Sequence, residues 1–212
     1  MSSMSPENNP PDSRNEQHRA DAHKRLSTLG RKFFDMLEYD VDEQLIMDVR
    51  KHPFGLFVIE VTGFFITLIV AIVPIVLAYN LGAVGVEEGG GNGFQALFVI
   101  FGLVMSLLAL AGTFIAGVLY KNNVIYITNE KLAQIRYLSL FNRKVSQLSI
   151  GDIQDVSVQQ RGIFAHWFNY GTLVVETSGE QQNYTFTYVP KPYQVSRAIV
   201  GAHEENLKLY GN

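Results

Sequence analysis

The chain contains no cysteine, which excludes disulfides and thiolate metal sites outright. Nor has it an excess of cations: 17 Lys and Arg stand against 20 Asp and Glu, a net charge of −3. Without a basic stripe to displace phosphate counterions, a nucleic-acid partner is not expected. Catalytic patterns are equally scarce. There is no Gly-x-Ser-x-Gly, no Walker-type phosphate loop and no His-Glu-x-x-His, so none of the chemistry those spacings support is available. His166 has no second His, Cys or carboxylate at ligand spacing. No catalytic residue, no cofactor and no metal site is therefore expected, and the chain does not read as an enzyme.

Charge is also missing from two long apolar runs. Residues 54–79 and 94–120 hold no Lys, no Arg and one acid, Glu60. Each exceeds the roughly 20 residues a helix needs to cross about 30 Å of hydrocarbon. They predict two transmembrane helices joined by residues 80–93, a link with Glu87, Glu88 and a run of three glycines but no cation. Arg31, Lys32, Arg50 and Lys51 precede the first run, and Lys121, Lys131 and Arg136 follow the second. By the positive-inside bias both termini lie in the cytoplasm and the acidic loop outside. The first 24 residues are polar and have no apolar core of a cleavable signal peptide.

Residues 1–24 read as a disordered tail, with too little apolar surface to offset ordering entropy. In residues 25–40, Leu26, Leu29, Phe33, Met36 and Leu37 recur near helical spacing around Arg31 and Lys32. This predicts an amphipathic helix, either on the inner leaflet or docked on the soluble domain.

Small residues line each apolar helix. Gly102, Ser106, Ala109, Thr113 and Ala116 follow a heptad spacing, and Gly63, Thr67, Ala71 and Ala78 share a face of the first helix, with Pro74 as a kink. Such seams let helices approach closely. They are expected to face each other within one chain, a homo-oligomer being the alternative. Glu60 falls on the same face as Gly63 and Thr67. An acid inside a span is a functional candidate, yet Glu60 is about six residues, roughly 9 Å, from the cytoplasmic end. There the structural reading is preferred, with Glu60 meeting head groups, Lys121 or the Tyr120 hydroxyl, and proton or ion translocation is the alternative.

After Lys121 the pattern becomes alternating. Strands are expected at 123–128, 131–140, 144–150, 153–160, 172–177 and 184–189, the last two joined by a turn at Ser178-Gly179-Glu180. Pro192 opens a final helix with Val195, Ala198, Ile199 and Ala202 as its buried stripe. Residues 121–212 thus predict a small, partly open barrel capped by a C-terminal helix. Residues 44–50 alternate too, except at Ile46, and either add the first strand or form a plain linker. The aromatic run at 163–170 contains Phe164, Trp167 and Phe168. It is read as a turn closing one end of the barrel, with an exposed interfacial anchor as the alternative.

Three segments in order, Tyr126-Ile-Thr-Asn-Glu-Lys-Leu132, Ile153-Gln-Asp-Val156 with Val158 and Gln160, and Asn169-Tyr-Gly-Thr-Leu-Val-Val175, resemble the bacterial pleckstrin-homology-like domain. More narrowly, the chain is similar to its membrane-anchored YdbS-like branch. The resemblance covers residues 44 to about 210 and implies a seven-strand barrel with a C-terminal helix and no catalytic residues. The resemblance says more of fold than of role; the expected function is a non-enzymatic scaffold at the inner leaflet of a bacterial membrane, with the bilayer and an unidentified protein as partners. An alternative is a regulatory subunit of a transport or intramembrane complex in which Glu60 is functional. Eukaryotic relatives of this fold often bind inositol phosphates through a basic loop between the first two strands. The candidate turn here, Thr128-Asn-Glu-Lys131, has one cation and one acid, so specific phosphoinositide binding is not expected.

Overall fold

The computed structural model describes residues 43–83, 91–178 and 183–210, with positions 16, 17, 20 and 24 besides. The rest of the expected tail, the amphipathic helix at 25–40, loop residues 84–90 and the turn at Gly179-Glu180 lie outside the described residues. The chain divides into two compact units, Met1–His52 with Asn122–Asn212, and Pro53–Lys121.

The first unit is a β domain. Its four-stranded antiparallel sheet has the order β1 (Leu45–Arg50), β2 (Val124–Thr128), β3 (Lys131–Tyr137), β4 (Arg143–Ser149). A second antiparallel sheet has the order β5 (Ile153–Gln159), β6 (Tyr170–Thr177), β7 (Tyr184–Pro190). The Val-Ile-Tyr-Ile-Thr run of β2 lies between β1 and β3 and is buried throughout, as a central strand covered on both faces must be. Ile46, the residue that interrupts the alternation of β1, sits where the register jumps between Leu45 and Met47, and its side chain is exposed. A bulge absorbs the extra residue and returns Met47 and Val49 to the inner face.

Ile127 and Leu132 from the first sheet meet Leu173 and Phe186 from the second, and Val195 and Ile199 of the terminal helix complete the core. Burying each such side chain stabilises by about 1.5–3 kcal/mol. Pro192 supplies the preset φ of a first helical position. The helix it opens, Pro192–Tyr210, buries Val195, Ile199 and Ala202, with Ala198 half-buried beside them. Near its far end, His203 Nδ1 is 2.7 Å from the carbonyl of Ile150, and Asn206 donates to the carbonyl of Asn129.

Strand ends differ from expectation where turns take over. The third strand stops at Tyr137, because Leu138 and Ser139 donate to the Asn142 carbonyl and close a turn. Ile150 opens a 3-10 turn, Ile150–Asp152, instead of ending β4. The Thr128–Lys131 turn joins β2 to β3, not the first two strands.

The second unit is a hairpin of α1 (Pro53–Ala83) and α2 (Gly91–Lys121). A Cβ on Gly63 would collide with the Thr113 side chain, and one on Gly102 would stand 3.0 Å from Pro74 Cβ and 3.6 Å from the Ala71 carbonyl. Glycine is required at these approaches. The hydroxyls of Thr67, Ser106 and Thr113 donate to carbonyls of their own helices, Gly63, Leu103 and Ala109, so these three leave the seam to close by packing of small residues. Ala116 is exposed, in contrast to its expected place in the seam; Gly117 and Tyr120 are buried there instead. With 3.6 residues per turn, the inward face moves to residue 117 after Thr113 rather than holding the heptad step to 116.

Candidate functional site

The chain leaves the β domain and returns to it at one place. Arg50, near the end of β1, is the register partner of Val124, the first residue of β2, so the two ends of the hairpin attach side by side. Departure is fixed by His52, whose backbone N–H donates to the Tyr188 carbonyl at 2.6 Å and whose ring lies 5.3 Å from that of Tyr170. Tyr170 in turn stacks on Tyr188 at 5.4 Å. Burial disfavours charge here, lowering the His52 pKa and raising that of Tyr170. Return is fixed by Asn123, whose side-chain oxygen accepts from the Tyr137 N–H at 2.8 Å.

Cations gather beside these attachment points. Arg136 stands directly opposite Lys144 across the β3–β4 pair, and Lys51 is close enough to Arg136 for the guanidinium to depress its pKa, after burial itself. Lys51 also donates to Thr187 at 3.4 Å. Among the described residues neither Arg136 nor Lys144 has an acid within ion-pair distance. Arg143 adds a further cation where β4 begins, and Arg161 another just beyond β5.

Exposed apolar groups occupy the same end. The turn after Tyr137 carries Leu138, Leu140 and Phe141, and Phe141 is 99% exposed. Residues 163–167 form not a closing aromatic turn but a short helix, α3 (Ile163–Trp167). Its single inward side chain is Ala165, while Ile163 (80%), Phe164, Trp167 (78%) and Phe168 all lie exposed. The small Ala165 is the one side chain that this short turn tucks away. The aromatic rings are left outside, overturning the expectation that they close the barrel. Gly162 starts α3 at φ 88, and Asn169, Tyr188 and Lys191 also have positive φ. Left-handed backbone on non-glycine residues costs about 1–3 kcal/mol each, and all of it falls near this end.

The other end of the domain is acidic and tied together. Glu130 and Asp152 flank the bond from the Ile150 N–H to the Glu130 carbonyl, and Ser178 donates to the Asp152 carbonyl. Lys131, the one cation of that turn, is 3.0 Å from the buried carboxylate of Glu43.

The expected intramembrane candidate Glu60 lies exposed on α1, and among the described residues it has no hydrogen-bond or ion-pair partner. It meets neither Lys121 nor Tyr120; the Tyr120 ring lies instead against Gly55. No group of three or more His, Asp or Glu able to hold a metal occurs among the described residues. The cation group of Lys51, just after β1, with Arg136 of β3 and Lys144 of β4 was missed by sequence reading, because only the sheet register brings the three together.

The family model described as Bacterial PH domain matches residues 54–199. This chain belongs to that family. Within this bacterial PH domain the connection between the first two strands is the two-helix hairpin. The bacterial PH domain is also similar to the crystal structure of a DUF1696 family protein with a pleckstrin-homology domain from Shewanella loihica PV-4. The identity is 19%, over 38% of this chain and 70% of that one, at a TM-score of 0.31. No curated protein matches.

Proposed function

We propose that the protein is a non-enzymatic, membrane-anchored PH-like module presenting a protein-binding or assembly surface at the inner leaflet of a bacterial membrane. The observation that carries this reading is the insertion of a two-helix apolar hairpin between β1 and β2. Within its apolar stretches, Pro53–Asn80 and Gln95–Lys121, only 17% and 6% of the most apolar 18 residues are buried. A core helix of a water-soluble protein would be mostly covered. Here Phe64, Ile69, Leu107 and Phe114 are all more than half exposed, a burden of apolar surface that water does not tolerate in a monomer. At about 1.5 Å per residue, each stretch is roughly 40 Å long, enough to span a bilayer. The distribution of Lys and Arg supports cytoplasmic termini. β4 is the outer strand of its sheet, and its free edge suits pairing with a partner's strand.

Topology tests the reading. A cysteine replacing Gly90 should react with an impermeant thiol reagent in intact cells, and one replacing Gly179 should not. The reverse pattern overturns the arrangement. Affinity purification from native membranes then identifies the partner.

Glu60 favours a second reading, a regulatory subunit of a transport or intramembrane complex, since an exposed carboxylate within an apolar helix is a functional candidate. Under the first reading Glu60→Gln inserts, folds and functions normally. Loss of a transport or proton-linked phenotype with insertion intact would favour the second.

A further inference from the structure

The end of the β domain from which the chain leaves for α1 combines two features that water alone does not explain. One is a set of exposed apolar side chains, Phe141 at 99%, Ile163 at 80% and Trp167 at 78%. They come from separate connections, the β3–β4 turn and α3. The turn begins beside Asn123, where the chain returns, and α3 leads directly into Tyr170, which packs on His52, where the chain departs. The other is like charge set against like charge. Arg136 faces Lys144 across the sheet, and Arg136 also repels Lys51. Like charges directly opposite are destabilising in a sheet unless an anion lies between or above them. Glu130 and Asp152 lie at the other end, so the domain is electrically polarised along its strands.

We propose that this end of the domain beds into the anionic headgroup layer of the bilayer, with Phe141 and Trp167 entering the interfacial zone and Arg136, Arg143 and Lys144 meeting lipid phosphates. The inference rests on the anchoring reading above and adds that the domain is seated by its own residues instead of swinging on its two attachments. Free phosphate would satisfy the cations but leave the aromatic groups without a role. An apolar protein surface would cover the aromatic groups and leave the cations unmet. Only a lipid surface offers a layer that accepts tryptophan rings alongside a field of negative charge. The cations are spread over two strands, β3 and β4, and do not converge in one loop, so they suit many singly charged headgroups rather than one polyanionic head. His52 adjoins Pro53 and Asn122 adjoins Lys121, so at about 3.5 Å per residue the tether leaves this end little freedom to leave the surface.

Trp167 is the only tryptophan, and its fluorescence reads the proposal directly. The full chain is reconstituted into vesicles of phosphatidylcholine, or of phosphatidylcholine mixed with phosphatidylglycerol, and co-flotation after carbonate washing establishes that the hairpin is inserted. In the anionic vesicles Trp167 emission should shift to the blue, be quenched by lipids with brominated chains and be shielded from iodide. In phosphatidylcholine alone it should stay open to iodide. Arg136→Gln with Lys144→Gln should lower the docked-to-free ratio in anionic vesicles by roughly 25-fold, about fivefold for each cation. If an inserted protein shows Trp167 equally open to iodide in both lipids, the proposal is overturned. Equal bromolipid quenching in both lipids overturns it too, because burial would then owe nothing to charge. A chain that fails to co-float overturns the anchoring reading itself, and this inference with it.

Discussion

Glu43, the residue two places before β1, points one carboxylate oxygen at the Lys131 ammonium, 3.0 Å away, and accepts the Thr128 hydroxyl on the other at 2.7 Å. Its carboxylate is buried, and the neighbouring Gln44 exchanges hydrogen bonds with Asn129, N–H to side-chain oxygen at 2.7 Å and carbonyl to N–H at 3.1 Å. The start of β1 is thereby clamped to the β2–β3 turn. Removing one member of a buried pair strands the other, at a cost of about 3–5 kcal/mol. Lys131→Met should therefore lower the stability of the β domain by that order, since it strands the fully buried Glu43 carboxylate, and Glu43→Ala should cost less, since the ammonium it leaves behind keeps some access to water. Thermal melts of the solubilised chain decide it; a Lys131→Met melt within error of the parent's would show that the clamp carries no weight.

Strand β1 contributes Val49 and Met47 to the core and covers one edge of β2. A fragment of residues 121–212 alone should then expose the fully buried β2 as an edge, and aggregate or fold poorly. Joining residues 42–52 to it through a short glycine-serine linker should restore cooperative unfolding. Identical melts for the two fragments would reduce β1 to a linker.

His52 titrates below its ordinary 6.5 because it is partly buried. The unfolded chain then holds this proton more readily than the folded one, so the stability associated with His52 is present above about pH 6.5 and declines as pH falls below it. His52→Gln should flatten that part of the profile. Denaturation midpoints measured from pH 5 to 8 for both proteins check this; parallel curves would remove His52 from the account.

Much of this architecture can be read from local pattern. Pro192 with Val195, Ile199 and Ala202 marks the terminal helix because a preset φ and a 3.6 period agree, and the period-two alternation of 153–159 and 184–189 marks β5 and β7. The helix α3 is illegible: Ile163-Phe-Ala-His-Trp167 is a single turn, too short for a period, and its aromatic composition reads as core while only Ala165 goes in. Ala116 fails for a related reason, since a heptad and a 3.6-residue turn separate after two repeats. The Lys51, Arg136 and Lys144 group arises from register across β3 and β4, which no local pattern encodes.

Because Arg50 pairs with Val124 while the whole hairpin lies between them, the four-stranded sheet cannot start to close until both helices have been synthesised. β1 must wait, unpaired, for β2. A hairpin that crosses a bilayer twice brings β2 back to the compartment where β1 is waiting. One that crosses once leaves the two strands on opposite sides, with no route to each other. If the hairpin spans the bilayer as proposed, closure of the sheet is in that sense a check on threading: a chain left half-crossed cannot finish it.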